Sequence, residues 1–297
     1  MKRLTAIFAT LALTLMLTSV AQANFLGMDS GDSTYLWNFS MSQQITNGSG
    51  AQYANIDTSS PGAAIAGIQA NLDAGNAMYL WGVYDVNQVS DTGVDPATYN
   101  WVKTADTPQS VTGVFWGLRI ARVEYEGATP TALLFTGGHS ALYSGGTVNA
   151  AFAAPGADFD MTDGNLNLSW FETFYGTSRA LGEQFATFDF DEGILPGYTQ
   201  LAQFSGGTSA TQSQGTFFGS VTSNNNFSEL IDSNAYNNGE SDIYGAVNVQ
   251  SGTGGWDFAA QSGELNMTTV PEPSTFLLIG LGMIGCFAYA RRRRNNA

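Results

Sequence analysis

Carboxylates are the only reactive side chains this chain has in plenty. Its 297 residues include 25 Asp and Glu, one histidine and one cysteine. Glu172 stands within Trp170-Phe171-Glu172-Thr173-Phe174-Tyr175, and on an extended chain it shares a face with Trp170 and Phe174. A glutamate among aromatic rings can have a raised pKa and act as a general acid. Asp189 and Asp191 share a face further on, so a two-carboxylate glycosidase site is one reading. The other is an aromatic-packed strand with its glutamate at the solvent edge. That reading is favoured, because an ordinary β core needs the same aromatics. Asp158, Asp160 and Asp163 lie in Asp158-Phe159-Asp160-Met161-Thr162-Asp163-Gly164. The segment approximates a calcium loop, but the third aspartate and the glycine come one position late for an EF-hand, and no glutamate closes it. An Asp-Gly turn of a hairpin accounts for it equally well. Calcium is the one cofactor left open, and no other is expected.

His139 precedes Ser140, and neighbouring side chains on a strand point to opposite faces, so these two cannot form a nucleophile–base pair. No Gly-x-Ser-x-Gly elbow occurs. A histidine beside Gly137-Gly138 reads as a surface residue of a turn. One histidine without an accompanying thiolate makes no zinc site. No catalytic residue is assigned on these grounds, and the chain is expected not to be an enzyme.

Between residues 24 and 269 the basic residues are Lys103, Arg119, Arg122 and Arg179, against 24 acidic ones, a net charge of −20. Such a domain does not bind nucleic acid through phosphates, which takes clustered Lys and Arg. The charge keeps such a domain soluble and attracts divalent cations or basic partners. Cys286, the only cysteine, lies near the C-terminus. The region from 24 to 269 therefore has no disulfide and must be held by its core.

The elements that would position these groups are strands. Short aromatic and β-branched runs alternate with Gly, Asn and Asp, the pattern of an antiparallel β protein. The clearest run is Val114 to Tyr125, whose even positions Val114, Trp116, Leu118 and Ile120 predict one buried face, with Arg122 and Glu124 carrying it to solvent. Tyr35-Leu36-Trp37-Asn38-Phe39 and Tyr79-Leu80-Trp81-Gly82-Val83 echo each other without a third copy, and read as two similar strands. Further strands are expected over 132–135, 147–152, 166–175, 185–190, 215–221, 243–249 and 256–267. Helix is expected over 63–72, weakened by Gly62 and Gly67, and in a short piece over 228–236 capped by Ser228. The predicted fold is all-β, a single antiparallel β-sandwich of jelly-roll type spanning 24–269.

Both ends read as targeting segments. Lys2 and Arg3, the apolar run Leu4 to Val20, and Ala21-Gln22-Ala23 form a signal peptide over 1–23, cut by signal peptidase after Ala23. At the other end come Pro271-Glu272-Pro273, an uncharged run from Phe276 to Ala290 studded with Gly280, Gly282 and Gly285, and then Arg291, Arg292, Arg293 and Arg294. The prolines hold the chain extended, and Ser274 and Thr275 can cap the helix that follows. A helix from Thr275 to Ala290 would be about 24 Å long, short against a hydrocarbon core of about 30 Å. Local thinning with Tyr289 at the interface covers the difference. The arginines then stop transfer on the cytoplasmic side.

This tail, residues 270–297, resembles the PEP-CTERM sorting signal of Gram-negative bacteria in its Pro-Glu-Pro triplet, glycine-studded span and terminal arginine cluster. The resemblance implies that exosortase, an integral membrane transpeptidase-like enzyme, cuts near the triplet. It also implies that the product goes to the cell surface or the exopolysaccharide matrix. The expected protein is exported by the Sec machinery and held in the inner membrane only through its C-terminal helix until processing. It then acts by binding or structure, with exopolysaccharide as a partner. A β-sandwich glycoside hydrolase or lyase and a calcium-dependent adhesin are the rival expectations.

Overall fold

Glycine faces an aromatic ring at one strand pairing after another in this chain. Phe39 lies opposite Gly263, Tyr84 opposite Gly113, Phe115 opposite Gly82 and Phe217 opposite Gly245. The rings lie so close over their partners that a Cβ on Gly113 would sit 1.9 Å from the Tyr84 ring and one on Gly245 2.0 Å from that of Phe217. Glycine in a strand is otherwise unfavourable; here it makes room for a ring to lie across the neighbouring strand. All four rings belong to one buried cluster.

The computed structural model describes residues 28, 33–47, 53, 56, 57, 59, 61–93, 101–103, 111–145, 182–193, 195–198, 200–204, 213–222, 231–252 and 257–269. The strands are β1 (Thr34–Asn47), β2 (Met78–Asp91), β3 (Trp101–Val102), β4 (Val111–Glu126), β5 (Thr129–Thr136), β6 (His139–Gly145), β7 (Gly182–Phe190), β8 (Gln200–Phe204), β9 (Ser213–Val221), β10 (Ile243–Ser251) and β11 (Phe258–Thr268). Among the described residues one helix, α1 (Pro61–Asp73), lies between β1 and β2.

Every pairing among the described strands is antiparallel; besides neighbours in sequence, β1 pairs with β11, β2 with β4, β4 with β6, β5 with β8 and β7 with β9. β5 and β6 form one interrupted strand along β4: Trp116 faces His139 and Arg119 faces Thr136 in a common register. β7 and β8 likewise form one interrupted strand, which pairs with β6 and β5 on one side and β9 on the other. The ring therefore runs β1, β2, β4, β5–β6, β7–β8, β9, β10, β11 and back to β1. It is a closed meander, with no open edge through most of its circuit.

The all-β, antiparallel class is as expected from sequence. The jelly-roll arrangement is not what the pairings show, since one continuous sheet closes on itself without Greek-key crossovers. Its interior is filled by Tyr35, Trp37, Phe39, Phe115, Phe188, Phe217 and the aliphatic residues packed with them. A cavity among Phe39, Gln43, Tyr84, Ser140 and Phe217 measures about 20 Å³, room for one water. Ala64, Ile65 and Ile68 of α1 join this core.

Two local expectations change. Gly117 (φ 73°) forms a bulge, with Leu80 facing Leu118 and Gly82 facing Phe115 across the shift. Leu118 and Ile120 consequently share the interior with Phe115, while Val114 and Trp116 are buried outside that cluster. The four residues predicted to share a face are divided between two. Trp37 and Trp81, equivalent in the echoed segments, are similarly separated: Trp37 is in the interior cluster and Trp81 is buried outside it. The described part of the short helix expected over 228–236 is non-helical from Asp232, and Asn234 has φ 48°. The strands expected over 147–152 and 166–175 lie outside the described residues.

Candidate functional site

The only histidine is held by its neighbours across the sheet. His139 on β6 lies opposite Asp189 on β7, with Nδ1 2.6 Å from Oδ1, and its ring centroid is 5.7 Å from that of Trp116 on β4. Ser140 points the other way, as strand alternation requires. Its hydroxyl donates to the Val114 carbonyl (3.1 Å) and lies 2.9 Å from the Tyr84 hydroxyl in the interior. Asp191 accepts the Ser220 hydroxyl at 2.5 Å, and burial pushes its carboxyl above the ordinary carboxylate range against the pull of the Ser220 and Ser241 hydroxyls. Asp242, 3% exposed, accepts the backbone N–H groups of Val221 and Asn234, each at 2.8 Å. Asp189 and Asp191 thus both hold bonds between strands. No group of three His, Cys, Asp or Glu side chains able to hold a metal occurs among the described residues.

Two further carboxylates do structural work. Asp85, 6% exposed, receives Lys103 Nζ at 2.7 and 2.6 Å, and burial raises its pKa while Lys103 opposes the rise. Asp257, 5% exposed, accepts the Ile45 N–H at 2.7 Å and ties β11 to β1.

A groove of about 600 Å³ opens on the outside of the ring, within the range typical of ligand sites. β4 and β5 supply its floor: Arg119, Ile120 and Ala121, with Thr136 directly opposite Arg119. One wall is the end of α1. Gly75 (φ 77°) donates its N–H to the Leu72 carbonyl at 2.9 Å, and the Asn76 N–H reaches the Asn71 carbonyl at 3.0 Å. Those two bonds form a Schellman cap, which needs glycine in the left-handed region. The cap sets Leu72, Gly75 and Asn76 at the groove.

The other wall is the turn Leu195-Pro196-Gly197-Tyr198, closed by the Tyr198 N–H on the Leu195 carbonyl at 3.1 Å. Proline followed by glycine at φ 84° is the residue order of a type II turn. It seats Tyr198 against Ala132 and Leu134, with the Arg122 guanidinium 5.5 Å from its ring. Arg122 also pairs with Glu124, and Lys103 with Asp85. Arg119 has no carboxylate partner among the described residues. Sequence reasoning placed Arg119 on a strand but did not assemble this groove. The Pro196-Gly197 and Gly75-Asn76 signals mark the two walls, and only the strand register shows that they meet.

The residues singled out for sorting and chemistry lie largely elsewhere. Ala21, Ala23, Pro271, Glu272, Pro273, Arg291 to Arg294, Asp158, Asp160, Asp163 and Glu172 are outside the described residues. Residues 269–294 match the family model described as the PEP-CTERM protein-sorting motif. The chain carries a PEP-CTERM sorting signal. The PEP-CTERM motif marks an exported, surface-directed protein sorted by exosortase. Neither the curated proteins nor the solved structures give a match. No described helix is long and apolar enough to cross a membrane, and the span expected from Phe276 to Ala290 lies outside the described residues.

Proposed function

We propose that this PEP-CTERM protein works at the cell surface or in the extracellular matrix as a binding protein rather than an enzyme, with exopolysaccharide as its ligand class. It reaches that place as a Sec-exported precursor, anchored in the inner membrane until exosortase removes the tail. The groove carries the reading. Among the described residues the cavity inside the ring has room for about one water, whereas the groove presents donors and acceptors (Arg119, Asn76, Thr136, Tyr198) on strands and capped ends. None of its described lining residues is a carboxylate or histidine, so that lining suits holding a hydroxyl-rich chain rather than cleaving one.

The test is co-sedimentation of the released protein with exopolysaccharide from the same cells. Wild type should sediment with the polymer, with or without EDTA, and should release no reducing ends. Thr136→Trp, which fills the groove floor, should weaken binding by about tenfold or more, a loss of roughly 1.4 kcal/mol. Reducing ends that disappear in Glu172→Gln would establish a glycoside hydrolase instead. Binding abolished by EDTA and by Asp160→Asn would establish a calcium-dependent adhesin.

A further inference from the structure

We infer that the groove selects a sugar carrying an anionic group, a uronate being the simplest, with Arg119 as the anion contact; the inference rests on the groove being the carbohydrate site. The region from 24 to 269 has four basic residues against 24 acidic ones. Of the three that are described, Lys103 is committed to Asp85 and Arg122 to Glu124. Arg119 alone is exposed in the groove floor without a carboxylate partner among the described residues. In so acidic a domain an unpaired guanidinium is the scarce group, and its planar fork suits a carboxylate or sulfate.

The groove is two-sided in its chemistry. The C-terminal end of α1 stands at one wall, and the negative end of a helix dipole favours donors over anions there. Asn76 donates its amide to Asn71 Oδ1 at 3.0 Å, which leaves its own Oδ1 to accept. Sugar hydroxyls can donate at this wall while the anionic group meets Arg119 beside the Thr136 hydroxyl. A simple anion would gain only the second contact, and a neutral sugar only the first. The surrounding acidic surface repels polyanions at long range, a repulsion confined by salt to about 10 Å at 0.1 M. Moderate salt should therefore help a uronate polymer approach, although it weakens the contact itself.

The test compares polygalacturonate with its fully methyl-esterified form, using the purified exported protein, wild type, Arg119→Gln and Arg119→Lys. Free galacturonate and galactose separate a monomer site from a polymer site. Wild type should prefer the acid polymer by about tenfold. Arg119→Gln should abolish the preference, the affinity for the acid polymer falling to that for the ester, and Arg119→Lys should keep part of it. Equal binding of acid and ester by wild type, or an unchanged preference in Arg119→Gln, would overturn the anionic assignment and leave a neutral carbohydrate groove. Binding of neither polymer, with an intact near-ultraviolet circular dichroism spectrum, would overturn the groove reading itself.

Discussion

Gly245 and Phe217 show how single residues decide this interior. A methyl on Gly245 would reach 2.0 Å from the ring carbon Cζ of Phe217, and the ring has the packed core behind it. Gly245→Ala should destabilise the protein by about 1–3 kcal/mol, the usual range for overpacking. A methyl on Gly127 (φ 64°) would meet nothing within 4 Å, so Gly127→Ala should cost only the backbone penalty of about 1–2 kcal/mol. Combining each with Phe217→Leu separates the causes in urea unfolding. Gly245→Ala should be relieved by at least about 0.5 kcal/mol in the double variant, and Gly127→Ala should simply add. These pairings were invisible in the sequence, because each joins a glycine and a ring from different strands. The segment Tyr35 to Phe39 needs no partner to be read as a strand, and Tyr35, Trp37 and Phe39 all lie in the interior cluster. His139-Ser140 looked like part of a turn because Gly137-Gly138 precedes it, yet it begins β6.

Among the elements, β4 carries the sharpest local decision. Its bulge at Gly117 moves Leu118 and Ile120 to the side of Phe115, and the groove residue Arg119 to the outside. Gly117→Val, which disfavours the left-handed backbone the bulge needs, would push β4 toward an unbulged strand and turn Leu118 and Ile120 outward, because a one-residue slip reverses every side chain beyond it. The substitution should destabilise the protein by at least about 1–2 kcal/mol, followed by tryptophan fluorescence in urea; an unchanged transition would show that the bulge does not need glycine. Period-2 reading cannot find such a place, since an unbroken strand fits the same residues. Closure was hidden for a related reason. Alternating strands and turns look alike in a sandwich and in a ring, and only the pairings β1–β11 and β2–β4 distinguish them.

For the whole molecule, charge bears on stability and the C-terminal tail on the route of export. Burial raises the carboxyls of Asp85, Asp191 and Asp232 above their ordinary value of 3.8, while Ser59 holds that of the exposed Asp57 below it. A group with a raised folded pKa binds more protons when native, so the fold loses stability as pH rises through the window above 3.8. Self-repulsion at a net charge of −20 between residues 24 and 269 acts in the same direction. Thermal unfolding should therefore give a midpoint higher at pH 5 than at pH 8 by about 4 °C, equivalent to roughly 1–2 kcal/mol for a domain this size. Salt should narrow the gap; a lower midpoint at pH 5 would contradict the assignment. The export route was the most legible part of the chain, because the triplet, apolar run and arginines are contiguous and need no folding to be recognised. Export and exosortase processing are read together in the intact mass of the extracellular product from cells with and without exosortase. Cells with the enzyme should release a chain that begins at Asn24 and lacks Arg291 to Arg294, and cells without it should retain the protein in the membrane fraction. Full-length chain outside the cell, or equal release without exosortase, would overturn that route.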